Sequence, residues 1–212
     1  MAPKRKRSSQ LRQQLILSGL EELDQHGFED FSIRRIAKTC GVSCSAPYKH
    51  FENKQDFIIQ IFSYINEIYH ERQNKTIARY AHCSTRQQIL EVSLDYVRFL
   101  TEYPQFRRII MQNYQNFDEK YRLLRGQLSV ATYDLVSRYC AEVNMPDSVR
   151  RWKTFIMRSI IYGAALFFDN KEMEFNVENL QIVRSLLDRE FDLSWQYTET
   201  VPSVTKEPDE TE

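Results

Sequence analysis

Ser32-Ile33-Arg34-Arg35-Ile36-Ala37-Lys38-Thr39-Cys40-Gly41-Val42-Ser43 is the stretch whose reading decides the fold. Ser32 is an N-cap residue whose hydroxyl can satisfy a free backbone N–H at a helix start. Ile33, Ile36 and Ala37 then fall on one helical face, and Ala37 is small where two helices must approach. Gly41 stands where the chain needs a left-handed turn residue. Val42 plugs a small core, and Ser43 can cap a following helix. The pattern predicts two short helices joined by a tight turn, a helix-turn-helix. Pro47 lies in the first turns of the second helix, which therefore cannot begin much before Ser43. That helix would present Cys44, Ser45, Ala46, Tyr48, Lys49 and His50 to a major groove.

Working outward, Leu11, Leu15, Ile16, Leu20 and Leu23 recur at helical spacing, and Gly27 stops that helix. Asn53 can cap a long fourth helix with Phe57, Ile58, Ile61, Phe62, Ile65, Ile68 and Tyr69 on one face. Further helices are expected from Thr85 to about Thr101, from Pro104 to about Gln112, from Asp118 to about Val143, from about Pro146 to Asp169, and from Asn176 to about Phe191. Strand-like alternation is absent, and 5 Gly and 6 Pro in 212 residues leave little punctuation for sheets or barrels. The expected class is all-α, with about nine helices.

The chain has 29 basic and 29 acidic residues, a net charge of zero that by itself argues against a nucleic-acid partner. Its distribution says otherwise. Residues 1–12 carry +5 through Lys4, Arg5, Lys6, Arg7 and Arg12, while residues 198–212 carry −4 through Lys206 against Glu199, Glu207, Asp209, Glu210 and Glu212. Residues 32–54 carry +4 through Arg34, Arg35, Lys38, Lys49 and Lys54 against Glu52. No apolar run approaches a membrane span, and no apolar segment of a secretory signal follows the basic start. Cys40, Cys44, Cys83 and Cys140 are too few for a disulfide scaffold. A cytoplasmic protein without membrane association is expected.

Ile36-Ala37, Gly41-Val42-Ser43, Ala46-Pro47-Tyr48-Lys49-His50-Phe51 and Asn53-Lys54 followed by Phe57, preceded by Gly27-Phe28 and Ser32, resemble the TetR family of bacterial transcriptional regulators. The resemblance is continuous from about Leu11 to Ile65; beyond that it extends only to helix number and length. It implies a dimeric DNA-binding regulator, by default a repressor released from a palindromic operator by a small molecule, and no enzyme. Tyr48 and Lys54 resemble the family's phosphate-binding residues, and Ser43 and Lys49 resemble further backbone or groove contacts. Cys44, Ser45, Ala46 and His50 fall where bases or phosphates are met. Ser32, Arg34 and Arg35 lie where the flanking strand is reached. Phosphate contacts set register rather than sequence, and about 4–6 per subunit make binding fall steeply with salt.

The implied organisation is a flexible basic arm at 1–10, a helix-turn-helix domain at 11–56 with the fourth helix, 54–73, as connector, a regulatory domain at 57–195, and a disordered acidic tail at 196–212. The arm could enter a minor groove. Aromatic residues concentrate in the middle of the chain. Tyr96, Phe99, Tyr103, Phe106, Met111, Tyr114, Phe117, Tyr121 and Arg158 are candidates for a mostly apolar effector pocket. Ser159, Gly163, Ala164, Phe167, Val183, Leu186 and Leu187 are candidates for a four-helix dimer interface. The resemblance also implies that an effector moves the fourth helix and changes the spacing of the two recognition helices.

Other chemistry finds little support in the residues. His70, His82, Cys83 and Cys140 could contribute to a metal site, but His82 and Cys83 are adjacent and no second paired spacing exists. No cofactor is expected. No nucleophile elbow, phosphate loop or zinc-protease motif occurs. Two alternatives remain: a thiol-redox switch at Cys40 and Cys44, in a positively charged region that could lower a thiol pKa, and a helical adaptor that binds a protein partner without DNA.

Overall fold

A computed structural model describes residues 3–111, 128 and 130–192, with side chains from Ser8 onward. All regular elements among them are helical: α1 (Pro3–His26), α2 (Ile33–Thr39), a short 3-10 helix (Pro47–Lys49), α3 (Lys54–Arg79), α4 (Thr85–Glu102), α5 (Pro104–Met111), α6 (Val130–Glu142), α7 (Asp147–Asp169) and α8 (Val177–Asp192). The all-α expectation holds, with eight α-helices among the described residues. No helix there is long and apolar enough to cross a membrane. Tyr114, Phe117 and Tyr121, the expected helix start at Asp118, and the acidic tail lie outside the described residues.

Local chemistry sets most boundaries. Asn53 accepts from the Asp56 N–H at 2.9 Å at the head of α3, and Asn176 accepts from the Asn179 N–H at 2.9 Å at the head of α8. Ser84, rather than Thr85, caps α4 through the Gln87 N–H at 3.3 Å. The α1 backbone is already helical from Pro3. Proline suits the first helical position, where its missing N–H has no intrahelical partner to lose.

The first three helices close a small core in which α1 lies against α3. Gly19 permits their approach, since a Cβ there would sit 2.8 Å from Ile61 Cδ1 and 3.1 Å from Phe57 Cε2. Leu15, Leu23, Phe57 and Ile61 are fully buried in this core.

The second layer is organised around α4, which packs against α3, α5, α6, α7 and α8. The apolar stripe Ile89, Val92, Val97 and Leu100 is buried as expected. So are Thr85, Gln88, Glu91 and Asp95 on its other faces, and each finds a partner on a neighbouring helix. Thr85 donates to Glu142 of α6 at 2.6 Å, and Gln88 accepts from Arg138 of α6 at 2.8 Å. Glu91 accepts from Arg184 of α8 at 2.5 Å, and Asp95 from Arg72 of α3 at 2.8 Å. Buried polar groups are tolerated when paired in this way.

Candidate nucleic-acid interface and cavity

The turn between α2 and the 3-10 helix is built by its backbone. Cys40 ends α2, Gly41 takes φ +65°, the Gly41 N–H reaches the Lys38 carbonyl at 3.1 Å, and the Val42 N–H reaches that of Ala37 at 3.0 Å. This paired closure satisfies the last carbonyls of a helix and requires the left-handed residue that glycine supplies. Ser32 caps the other end through a long 3.4 Å contact with the Arg35 N–H.

The segment expected to be a recognition helix is tighter and shorter than anticipated. Ala46, Lys49 and His50 N–H groups bond the carbonyls three residues back, at 2.9, 3.1 and 2.9 Å, and only the turn Pro47–Lys49 is regular. Pro47 has no N–H to offer the Ser43 carbonyl, which removes the bond an α-helical first turn would need. Ser43 does not cap by its side chain: its hydroxyl shares a 3.1 Å bond with that of Ser45. Phe51 anchors the far end of the segment, buried and stacked on Phe57 with centroids 3.8 Å apart. With Phe51 fixed inward, Tyr48 is turned outward and is 58% exposed. Ser43, Cys44, Ser45 and Lys49 are exposed beside it, while Ala46 and His50 are half-buried.

The charges around this surface divide into engaged and free. Arg34 and Lys38 are exposed and have no carboxylate partner among the described residues. Arg35 turns back into the scaffold, donating to Glu22 through Nε at 2.8 Å and to the Asp30 carbonyl. Glu22 is itself buried and also accepts the Ser32 N–H at 3.0 Å. Arg35 therefore braces α2 on α1. Lys54 donates to the Glu29 carbonyl at 2.9 Å, tying the start of α3 to the loop before α2. Arg12 was not anticipated here. Its guanidinium lies 5.9 Å over the Phe51 ring, and burial, then the charges of Arg12 and Lys49, push His50 below the usual histidine pKa. No sequence spacing links Arg12 to residues 49–51; only the packing of α1 does.

Cys44 is exposed in the turn, whereas Cys40 is half-buried and donates to the Ser18 hydroxyl at 3.3 Å. Among the described residues no group of three or more His, Cys, Asp and Glu is placed to hold a metal.

The expected effector pocket is redistributed. Tyr96 and Arg158 do line a common cavity of about 160 Å3, with Leu128, Thr132, Tyr133, Val136, Thr154, Ile161 and Tyr162. Phe99 and Phe106 are buried in an aromatic cluster instead, with Phe99 centroids 5.0 Å from Tyr69 and 5.3 Å from Tyr103. Tyr103 stacks on Phe106 at 5.1 Å, and Met111 is on the surface. Phe99, Tyr103 and Phe106 shape the core beside the cavity, and none of the four lines it. Tyr133, another of the mid-chain aromatics, lines it with Thr132 and Tyr162, which nothing in the sequence singled out, because α6 and α7 converge there.

The dimer candidates likewise split by face. Ala164, Val183 and Leu187 are buried in the protomer's own core. Ser159, Phe167 and Leu186 are exposed, and Gly163 is half-buried. With them stand Trp152, Phe155, Ile156 and Leu166 on α7 and Ile182 on α8, all exposed. On α7 the exposed positions 152, 155, 156, 159, 166 and 167 follow the helical three-four spacing around Gly163, so they form one apolar stripe.

Residues 15–61 match the sequence model of the family described as bacterial regulatory proteins, tetR family. No curated protein matches the chain. Among solved structures, a TetR family transcription regulator from Marinobacter aquaeolei VT8 is similar at 17% identity and TM-score 0.74, covering 88% of this chain and 97% of that one. The transcriptional regulator FadR from Bacillus subtilis, solved in complex with stearoyl-CoA, is similar at 15% identity and TM-score 0.62, covering 84% and 96%. The TetR of Acinetobacter baumannii AYE, solved with minocycline, is similar at 16% identity and TM-score 0.53, covering 84% and 92%. Residues 15–61 thus carry the sequence of a TetR-family helix-turn-helix region, and the helical fold that follows is shared with solved TetR-family regulators.

Proposed function

We propose that this chain is a homodimeric transcriptional repressor that binds a palindromic DNA operator and leaves it when a small molecule occupies the cavity beside Tyr96. The observation that carries the reading is the outward projection of Tyr48 from a turn held at both ends, by the Gly41 closure and by Phe51 on Phe57. A rigid turn offering a phenol, Lys49 and two serine hydroxyls, beside unpaired Arg34 and Lys38, suits phosphate contacts and major-groove edges. Lys54 takes part from the start of α3, and Cys44, Ala46 and His50 lie on the same surface.

The apolar stripe on α7, with Leu186 and Ile182 of α8, is the dimer face. A contiguous exposed stripe of this kind marks an association site, and two helices from each subunit give a four-helix seam. Two-fold symmetry then places two identical turns against two half-sites. The solved complexes of similar folds with stearoyl-CoA and with minocycline support an effector-binding role for the second layer. α3 runs unbroken from Lys54 beside the DNA surface to Gln73, whose amide donates to Thr132 of the cavity wall at 3.1 Å. It is the element by which the cavity biases the turn, by population shift between two spacings.

A gel shift on DNA upstream of the chain's own gene, at low and at high salt, tests the reading. A retarded band that weakens steeply with salt is expected. Absence of binding to any such fragment at low salt would leave the protein-adaptor reading in its place.

A further inference from the structure

The cavity beside Tyr96 opens into a groove whose charge is one-sided. The inner chamber, about 160 Å3, is walled by Leu128, Val136 and Ile161 and by the rings of Tyr96 and Tyr162. The outer groove, about 530 Å3, shares Tyr133, Thr154, Arg158 and Tyr162 with the chamber and adds Arg150, Arg151, Phe155 and Ser159, the last two also at the edge of the exposed α7 stripe. Neither lining contains an Asp or a Glu among the described residues.

Arg150, Thr154, Arg158 and Tyr162 succeed one another at four-residue spacing, so they form one ridge of α7, with the two arginines about 12 Å apart along the axis at ~1.5 Å per residue. Two tyrosines act as platforms. The Arg150 guanidinium lies 5.7 Å from the Tyr133 centroid, and that of Arg158 lies 5.8 Å from the Tyr162 centroid. Arg150 shares its charge with Asp147 at 3.1 Å. Arg151 and Arg158 have no carboxylate partner among the described residues. Guanidinium groups present planar, forked donors that match carboxylate and phosphate oxygens. Burial and the neighbouring Tyr162 push the Tyr96 phenol well above its ordinary pKa, so it stays neutral and does not repel an anion.

We infer that the effector is an anionic amphiphile, with an apolar portion the size of one ring or a short acyl chain in the chamber and a carboxylate or phosphate held by Arg158 with Arg150 and Arg151. The inference deepens the reading of the chain as an effector-responsive regulator and rests on it for its biological meaning. The size limit follows from the chamber, since an engineered cavity of ~150 Å3 admits benzene. The anion follows from three arginines around an apolar opening with no acid among the described residues of its walls.

Titration calorimetry of the full chain with octanoate, phenylacetate, octanoyl-CoA and the neutral octanamide tests it. At least one anionic probe should bind 10-fold or more tighter than octanamide. Arg158→Gln should reduce that binding at least 10-fold, Arg158→Lys should retain part of it, and circular dichroism should show both variants folded. Tighter binding of octanoate or phenylacetate assigns the anion as a carboxylate; tighter binding of octanoyl-CoA assigns phosphate. Equal binding of octanamide and octanoate, binding unchanged in Arg158→Gln, or no binding by any anionic probe would overturn the inference. Operator binding without anion binding leaves the regulator reading standing and removes this one; anion binding without operator binding does the reverse.

Discussion

Arg107 and Arg108, consecutive on α5, reach in opposite directions. Arg107 is buried, donates to the Ala165 carbonyl of α7 at 2.8 Å and pairs with Asp169. Arg108 turns outward and holds Asp24 of α1 at 2.7 Å. One turn of α5 thus clasps the helix-turn-helix layer on one side and the proposed dimer helix on the other. Arg107→Met should destabilise the fold by about 3 kcal/mol, because it strands Asp169 and the Ala165 carbonyl. Arg108→Gln breaks a half-exposed pair and should cost less than about 1 kcal/mol. Urea denaturation of the two variants separates these outcomes; equal losses would refute the division of labour.

Gly19 and Gly41 are indispensable for different reasons, and alanine at each should report it. Gly19→Ala drives a methyl group toward Ile61 and Phe57, and should lose about 1–3 kcal/mol through overpacking. Gly41→Ala meets nothing within 4 Å but must hold φ +65°, so the loss should be about 1–2 kcal/mol from backbone strain alone. Denaturation midpoints measure both. A compensating small residue, Ile61→Val, should restore part of the loss in the first and none in the second.

Tyr48 makes no contribution to the core, so Tyr48→Ala should leave stability within about 0.5 kcal/mol. Operator affinity should nevertheless fall about 10-fold with an unchanged salt dependence, since the lost phosphate contact comes from a neutral phenol and releases no counterion. Fluorescence anisotropy at two salt concentrations is the check. An unchanged affinity would remove Tyr48 from the interface.

His50 has its pKa lowered by burial, Arg12 and Lys49. The unfolded chain therefore binds its proton at higher pH than the folded one. Its contribution to stability is fully present above the ordinary histidine pKa of about 6.5 and declines as pH falls through that value toward the folded one. His50→Gln should flatten this part of the stability profile between about pH 5 and 7. If His50 also meets a phosphate, operator affinity should rise as pH falls over the same range, and the variant should lose that slope.

The outward apolar residues Phe167 of α7 and Leu186 of α8 should matter to assembly and not to the fold. Phe167→Asp, at a position 45% exposed, and Leu186→Asp, at one 47% exposed, should yield folded monomers in analytical ultracentrifugation. Leu187→Ala removes a side chain buried in the protomer core and should cost about 2–5 kcal/mol. A Phe167→Asp protein that stays dimeric would move the seam elsewhere.

The turn at Gly41, the caps Asn53 and Asn176, the stop at Gly27 and the inward Phe51 were all legible in the sequence. Each depends on a backbone angle or a side-chain bond closed within a few residues. The 3-10 form of the recognition segment was legible in principle too, because Pro47 withholds the one N–H an α-helical turn needs. The Arg35 brace was not legible, because nothing near it in sequence announces Glu22, thirteen residues away and buried.

By itself, the sequence determined the succession of helices, the location of the helix-turn-helix and the concentration of basic charge at one end, all properties of local spacing and composition. Tertiary structure decided which apolar residues of α7 and α8 face inward, which aromatics line a cavity, and that polar α4 is buried on nearly every side. Glu91 meets Arg184 93 positions away, and Asp95 meets Arg72 23 positions away. Helical periodicity sets which residues share a face. What covers that face depends on the helices that pack against it, and no local interaction encodes their arrival.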